Sequence, residues 1–183
     1  ADFDAIEILN RFSPALYREV RADWFALLNA GWRRTGTANS DTHHRVLVGA
    51  GFPRNFVAVP DDRPAAFDTV AFCRAVREGA VVGTTGPFLR LLVNEAGPGG
   101  TVRARRGRVR VVLRVEAAPW VPVREVRLVV GGEIYAMWTA ADLDTGVLRL
   151  GRALEIPVRA DTWILAEAGA PLDASETPEG GVY

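Results

Sequence analysis

Two histidines stand side by side in the chain, His43 and His44, and Asp41 lies two residues before the first, in the stretch TANSDTHH (37–44). A hard carboxylate oxygen and an imidazole nitrogen together suit Zn, Mn or Fe, and a loop leaving a strand can aim both at one point. The chain has no other histidine, so the remaining ligands of such a site are expected to lie outside it. On pattern alone the same residues read more readily as a plain turn, capped by Asn39, Ser40 or Asp41, with both histidines in solvent. A lone Cys73 excludes an internal disulfide, and its setting in FDTVAFCRAVREG predicts a thiol packed on the apolar side of a helix.

The elements that must position Asp41 and His43 are legible around them. FDAIEILN reads as a strand ending at Asn10. SPALYREVRADWFALLNAGW follows as a helix, with Ser13 as N-cap and Pro14 at its first position. Leu16, Val20, Phe25, Leu27 and Leu28 follow helical spacing, and Gly31 stops it. RRTGTANSDTH is a second strand breaking up at Asn39. Strand, helix and strand with a crossover of this length predict a right-handed, parallel βαβ unit. Sites in α/β folds sit at the C-terminal ends of such strands, and Glu7, Asn10, Asn39, Asp41 and His43 fall near that end.

A turn-rich connection, GFPRNFVAVPDDRP, leads to a second helix over 65–79, with Phe67, Val70, Ala71 and Val76 expected inside and Gly79 as the C′ residue. AVVGTTGPFLRLLVN returns as extended chain and is expected to close a first domain, residues 1–97. From about residue 100 the period changes to two. RVRVVLRVEA alternates valine and leucine with arginine, EVRLVV and EIYAMW flank a Gly-Gly turn, and VLRLGRALEIPV and DTWILAEAG add strands. Residues 98–183 are therefore expected to form a small antiparallel β-sandwich of immunoglobulin-like kind.

Formal charge is zero, with 22 arginines, no lysine and 22 acidic residues. The arginine preference reads as codon bias of a GC-rich genome. A balanced chain has no overall field to draw nucleic acid or an anionic membrane. RARRGRVR (103–110) is a local exception, but it lacks aromatic interleaving and is read as a solvated or domain-facing strand. Trp120, Trp138 and Trp163 are read as packing residues rather than a carbohydrate platform. No apolar run is long enough to span a bilayer, and both ends read as cut from a longer protein.

Four ordered stretches, DAIEILN, DWFALLNAGWRRTGTANSDTH, GFPRNFV and GAVVGTTGPFL, together with the β-rich APWVPVREVRLVVGGE, resemble the C-terminal half of the CehA/McbA-type metallohydrolases of the PHP (polymerase and histidinol phosphatase) superfamily. The resemblance spans residues 3 to about 135. It implies a distorted α/β barrel, of which this chain would hold the last portion, whose rim binds two or three divalent metals (Mn, Zn or Fe) that activate water against a phosphoester or a carboxyl or carbamate ester. Asp41 and His43 match the family's Asp-x-His ligands, and its earlier His-x-His and carboxylate motifs have no counterpart here.

Glu7, Asn10, Asn39, His44 and Arg54 are then candidates to support the ligands or touch substrate, Arg54 through a bidentate grip on an anionic oxygen. Glu7, Asn10 and Asn39 read also as polar strand residues bonding neighbouring groups, His44 as a mere neighbour, and Arg54 equally as cover for the domain junction. The chain alone is expected to be inactive and to bind no metal unaided. Its implied partner is a small ester or phosphoester, with no nucleic acid and no membrane, and exposed barrel edges predict self-association. A secreted or periplasmic location would agree with an accessory β-domain, but nothing in the sequence assigns one. The competing reading is a non-catalytic ligand- or partner-binding sandwich with the α/β segment as its support.

Overall fold

The computed structural model of the protein describes residues 2–10, 14–43 and 49–171. β1 (Ala5–Asn10), α1 (Pro14–Asn29) and β2 (Thr35–Asn39) follow in order, and β1 pairs with β2 in parallel, Ala5 opposite Thr35 and Asn10 opposite Asn39. The expected βαβ unit is present, with a register shift between Glu7 and Leu9 that bulges β1. Ser13, expected to cap α1, lies outside the described residues. At the other end the Trp32 amide donates to the Leu27 carbonyl at 2.9 Å, a closure that puts Gly31 at a φ of 81°.

The connection after β2 holds more structure than its turn-rich composition predicts. β3 (Arg54–Val57) pairs antiparallel with β4 (Val81–Thr84), and both pack beside β2. Between them runs α2 (Thr69–Glu78), whose N-cap Asp68 accepts from the Val70 and Ala71 amides at 2.8 and 3.1 Å. Gly79 ends it in the left-handed region, as expected. The helix begins at Thr69 rather than 65, so Phe67 precedes it; Ala71 and Val76 are half-buried as expected and Ala75 is buried, while Phe67 and Val70 are 56% and 67% exposed and Cys73 is exposed too. The ten-residue helix meets β2 and β3 on one side only. No layer among the described residues covers its other apolar flank.

β5 (Phe88–Val93) corrects the expected division of the chain. It hydrogen-bonds to β6 (Arg108–Glu116) from Phe88 opposite Glu116 to Val93 opposite Val111, so it is an edge strand of the C-terminal sheet and not the close of the first part. The order of that sheet is β5-β6-β9, with β9 at Leu148–Pro157. The second sheet is β10-β7-β8, from β7 (Glu125–Val130), β8 (Glu133–Thr139) and β10 (Ile164–Gly169), with Gly131 and Gly132 at positive φ in the expected turn.

Val109, Val111 and Ile156 of one sheet pack with Leu128 of the other, and Leu113, Val115 and Leu150 with Val126. The period-two alternation of β6 thus points its valines and leucine inward between two facing layers. Trp138 packs on both clusters, whereas Trp120, expected to be packed, is 83% exposed. The whole is a mixed α/β structure dominated by sheet, and its described strands close no barrel.

α1 ties the two parts together. Tyr17, Arg21, Phe25 and Asn29 recur every four residues and form one stripe. Tyr17 Oη donates to Glu167 Oε1 at 2.6 Å, and Arg21 grips both carboxylate oxygens at 2.5 and 2.8 Å. Phe25 lies 4.6 Å from the Trp163 ring, and Trp163 Nε1 donates to Asn29 Oδ1 at 2.7 Å. Arg127 approaches Glu167 from β7 at 3.1 Å and also bonds Glu125.

Burial alone would raise the Glu167 carboxyl, but hydrogen bonds from Arg21 and the charges of Arg127 and Arg21 outweigh it and hold the group below its ordinary range. Burial, then the adjacent carboxylate, pushes the Tyr17 phenol well above its own. A second tie lies at Gly99: a Cβ there would stand 2.2 Å from the Glu78 carbonyl oxygen, so only glycine lets this loop lie against the end of α2.

Candidate functional site

Parallel pairing brings the C-terminal ends of β1 and β2 side by side, Asn10 against Asn39, and the chain leaving β2 carries Asp41 and His43 just beyond them. Asp41 adopts a φ of 50°, a conformation aspartate tolerates better than most residues. That turn, with Thr42 Oγ1 bonded to Ser40 Oγ at 2.8 Å, folds the segment so that His43 Nε2 stands 3.7 Å from Asp41 Oδ2. Their side chains are 51% and 42% exposed, respectively. The two predicted ligands thus converge, at the end of the parallel strands and open to solvent.

The end of β2 is held by a residue that sequence reasoning passed over. Asn55, on β3, accepts from the Ala38 amide at 2.8 Å, donates to the Ala38 carbonyl at 2.7 Å and donates to Asn39 Oδ1 at 3.0 Å. Its carboxamide substitutes for a neighbouring strand at the last turn before Asp41, satisfying backbone groups that would otherwise be orphaned. No spacing marks such a role; only the chain path that lays β3 beside β2 creates it. Asn39 is therefore a structural link, since its Nδ2 also donates to Thr37 Oγ1 at 3.2 Å.

The other expected residues are less concentrated. Glu7 is exposed and sits opposite Thr37, before the strand end, and it does not join the Asp41–His43 pair: among the described residues no three His, Cys, Asp or Glu side chains gather as a metal would need. Asn10 is half-buried at the strand end. Arg54 opens β3 next to Asn55, exposed, with Nη1 bonded to the Gly51 carbonyl at 3.1 Å and its guanidinium 5.7 Å from the Phe56 ring centre. It is on the same rim and can turn toward it. His44 lies outside the described residues. Gly86 and Pro87 shape the chain through Thr84 Oγ1, which accepts from the Gly86 amide at 2.9 Å and donates to the Pro87 carbonyl.

Two donors about 2.1 Å from one ion stand about 3.0 Å apart at a right angle and about 3.4 Å apart at the tetrahedral angle. The observed 3.7 Å is slightly wider, so Asp41 and His43 fit two positions of a divalent cation's shell after a small side-chain adjustment. They do not make a complete site. Compared with known proteins, the chain matches no family model, no curated protein and no solved structure.

Proposed function

We propose that the chain contributes the last part of a PHP-type, metal-dependent hydrolase, with Asp41 and His43 as ligands. The observation that carries the reading is their convergence beyond the C-terminal ends of a parallel strand pair, where α/β folds place their chemistry. Two features agree with it: β1 has no second neighbouring strand among the described residues, and the Phe67–Val70 flank of α2 is apolar and uncovered. A parallel strand pair with an open edge agrees with a place in a larger α/β sheet, since parallel sheets are normally covered on both faces.

Asp41 and His43 would hold a divalent ion there, which would supply a water acidic enough to be deprotonated near neutral pH and an electrophile for the substrate's phosphoryl or carbonyl oxygen. Asp41 contributes a carboxylate oxygen and His43 a neutral imidazole nitrogen. Asn55 holds the end of β2 so that the Asp41 turn leaves it in one direction. Arg54, released from Gly51, orients an anionic substrate oxygen. Phosphoester and carbamate or carboxyl ester substrates satisfy this arrangement equally.

The test is calorimetric titration of Zn and Mn into the chain and into the same protein extended by the sequence encoded upstream of Ala1. Hydrolysis of an aryl phosphodiester and an aryl carbamate is followed in parallel. The extended protein should bind metal and turn over one substrate in a chelator-sensitive way, and Asp41→Ala and His43→Ala should each weaken binding by at least about tenfold. A folded extended protein that takes up no metal and hydrolyses neither compound would sink the assignment and leave the sandwich as the functional part.

A further inference from the structure

Zero net charge conceals an uneven distribution. Residues 101–114 hold six arginines and no acidic residue, while residues 115–183 hold five arginines and eleven acids. The fold lays much of the basic run on one surface. Because Val109, Val111, Leu113 and Val115 point into the core, Arg108, Arg110 and Arg114 stand on the outer face of the β5-β6-β9 sheet. Arg90 of β5 lies directly opposite Arg114 in the same face, and the exposed loop entering β6 adds Arg103, Arg105 and Arg106.

Glu95, Glu116 and Glu155 are the acids on or beside this surface, and of these Glu116 pairs with Arg114, at 2.7 Å. Among the described residues the guanidinium groups of Arg90, Arg103, Arg105, Arg106 and Arg110 have no hydrogen-bond or ion-pair partner. Like charges directly opposite on a sheet are unfavourable. A surface that keeps Arg90 facing Arg114, with Arg90 lacking a protein counter-charge, is arranged for an anion from outside.

The shape narrows what that anion is. Among the described residues no helix packs on this face, and Arg108 to Arg114 span about 20 Å along one strand. Leu92, Val112 and Ala153, aligned in one row across the three strands, interleave the arginines with half-exposed or exposed apolar groups. Among the described residues Phe88 is the one aromatic on these three strands, which makes no ladder for stacking bases, and no element projects to enter a groove. A flat face of mixed arginine and apolar residues matches an anionic bilayer, whose phosphates meet the guanidiniums while the apolar row and the arginine stems press at headgroup level. We infer that the outer face of the β5-β6-β9 sheet is a docking surface for anionic lipid membranes, independent of the Asp41–His43 site.

The experiment is co-sedimentation of the chain with vesicles of phosphatidylcholine alone and of phosphatidylcholine mixed with phosphatidylglycerol, at low and high salt, with a DNA duplex as competitor. The protein should bind only the mixed vesicles and lose binding at high salt. Arg90→Glu/Arg110→Glu should weaken it at least about thirtyfold, and Arg74→Glu/Arg124→Glu, exposed arginines elsewhere, should leave it nearly unchanged; melting curves verify that both variants fold. Absence of binding to the mixed vesicles, or equal loss in both variants, would overturn the inference. Duplex binding without vesicle binding would overturn it in favour of nucleic acid.

Discussion

Asp41 and His43 could be picked out by residue type, but Asn55 could not, and the two cases make different demands. A metal ligand needs only the right donor within reach. Asn55 must present a donor and an acceptor to Ala38 in the geometry of a strand. Asn55→Ala leaves a backbone N–H and C=O of a buried residue unpaired, an expected loss of about 2 kcal/mol, readable as a lowered urea midpoint. Asn55→Asp keeps the acceptor, loses the donor and should fall between. If Asn55→Ala unfolds at the wild-type midpoint, the carboxamide does not hold the end of β2.

At the scale of elements, the contact between α1 and the β10-β7 face sets how the α/β part meets the sandwich. Removing one member of a buried, hydrogen-bonded ion cluster costs about 3 to 5 kcal/mol, because the partners stay charged and buried. Glu167→Gln strands Arg21 and Arg127, so its melting temperature should drop by roughly 10 °C for a chain of this size. The pH dependence follows from the direction of each shift. Glu167 is depressed when folded, so its stabilisation is present above the unfolded value of about 4.3 and is lost as pH falls further; the gap between wild type and Glu167→Gln should narrow in acid. Tyr17 is raised, so stability should decline as pH rises past about 10, where the unfolded phenol ionises and the folded one does not. Tyr17→Phe should remove that alkaline component in melting curves.

For the whole molecule, the edge of β1 that no described strand pairs and the exposed apolar Phe67 and Val70 lie on the α/β part, and the basic sheet face on the sandwich. An open parallel edge invites another strand, and uncovered apolar surface invites a partner. Sedimentation velocity on the isolated chain should show concentration-dependent self-association that survives high salt, since its drive is apolar burial and backbone pairing. A strict monomer at every concentration would mean that the edge is already covered. The salt response separates this association from vesicle docking, which screening should abolish.

What the sequence determined by itself was local. Helical spacing with Gly31 and Gly79 as stops, period-two alternation in β6 and a Gly-Gly turn each depend on a few neighbouring residues, and the βαβ unit and the sandwich strands followed from them. Asp41 and His43 could be proposed together from the sequence for the same reason, since both side chains sit on one turn. The tertiary structure decided whatever needed two distant segments. It paired β5 with β6 rather than leaving it with the α/β part, and it turned Phe67, Val70 and Cys73 outward because α2 meets only one neighbour layer. It also built the Tyr17–Arg21–Glu167–Arg127 cluster from residues up to 150 apart. Polar side chains far apart in the chain carry no periodicity that announces a shared partner; packing α1 across β10 and β7 creates the low-dielectric junction in which their charges must pair.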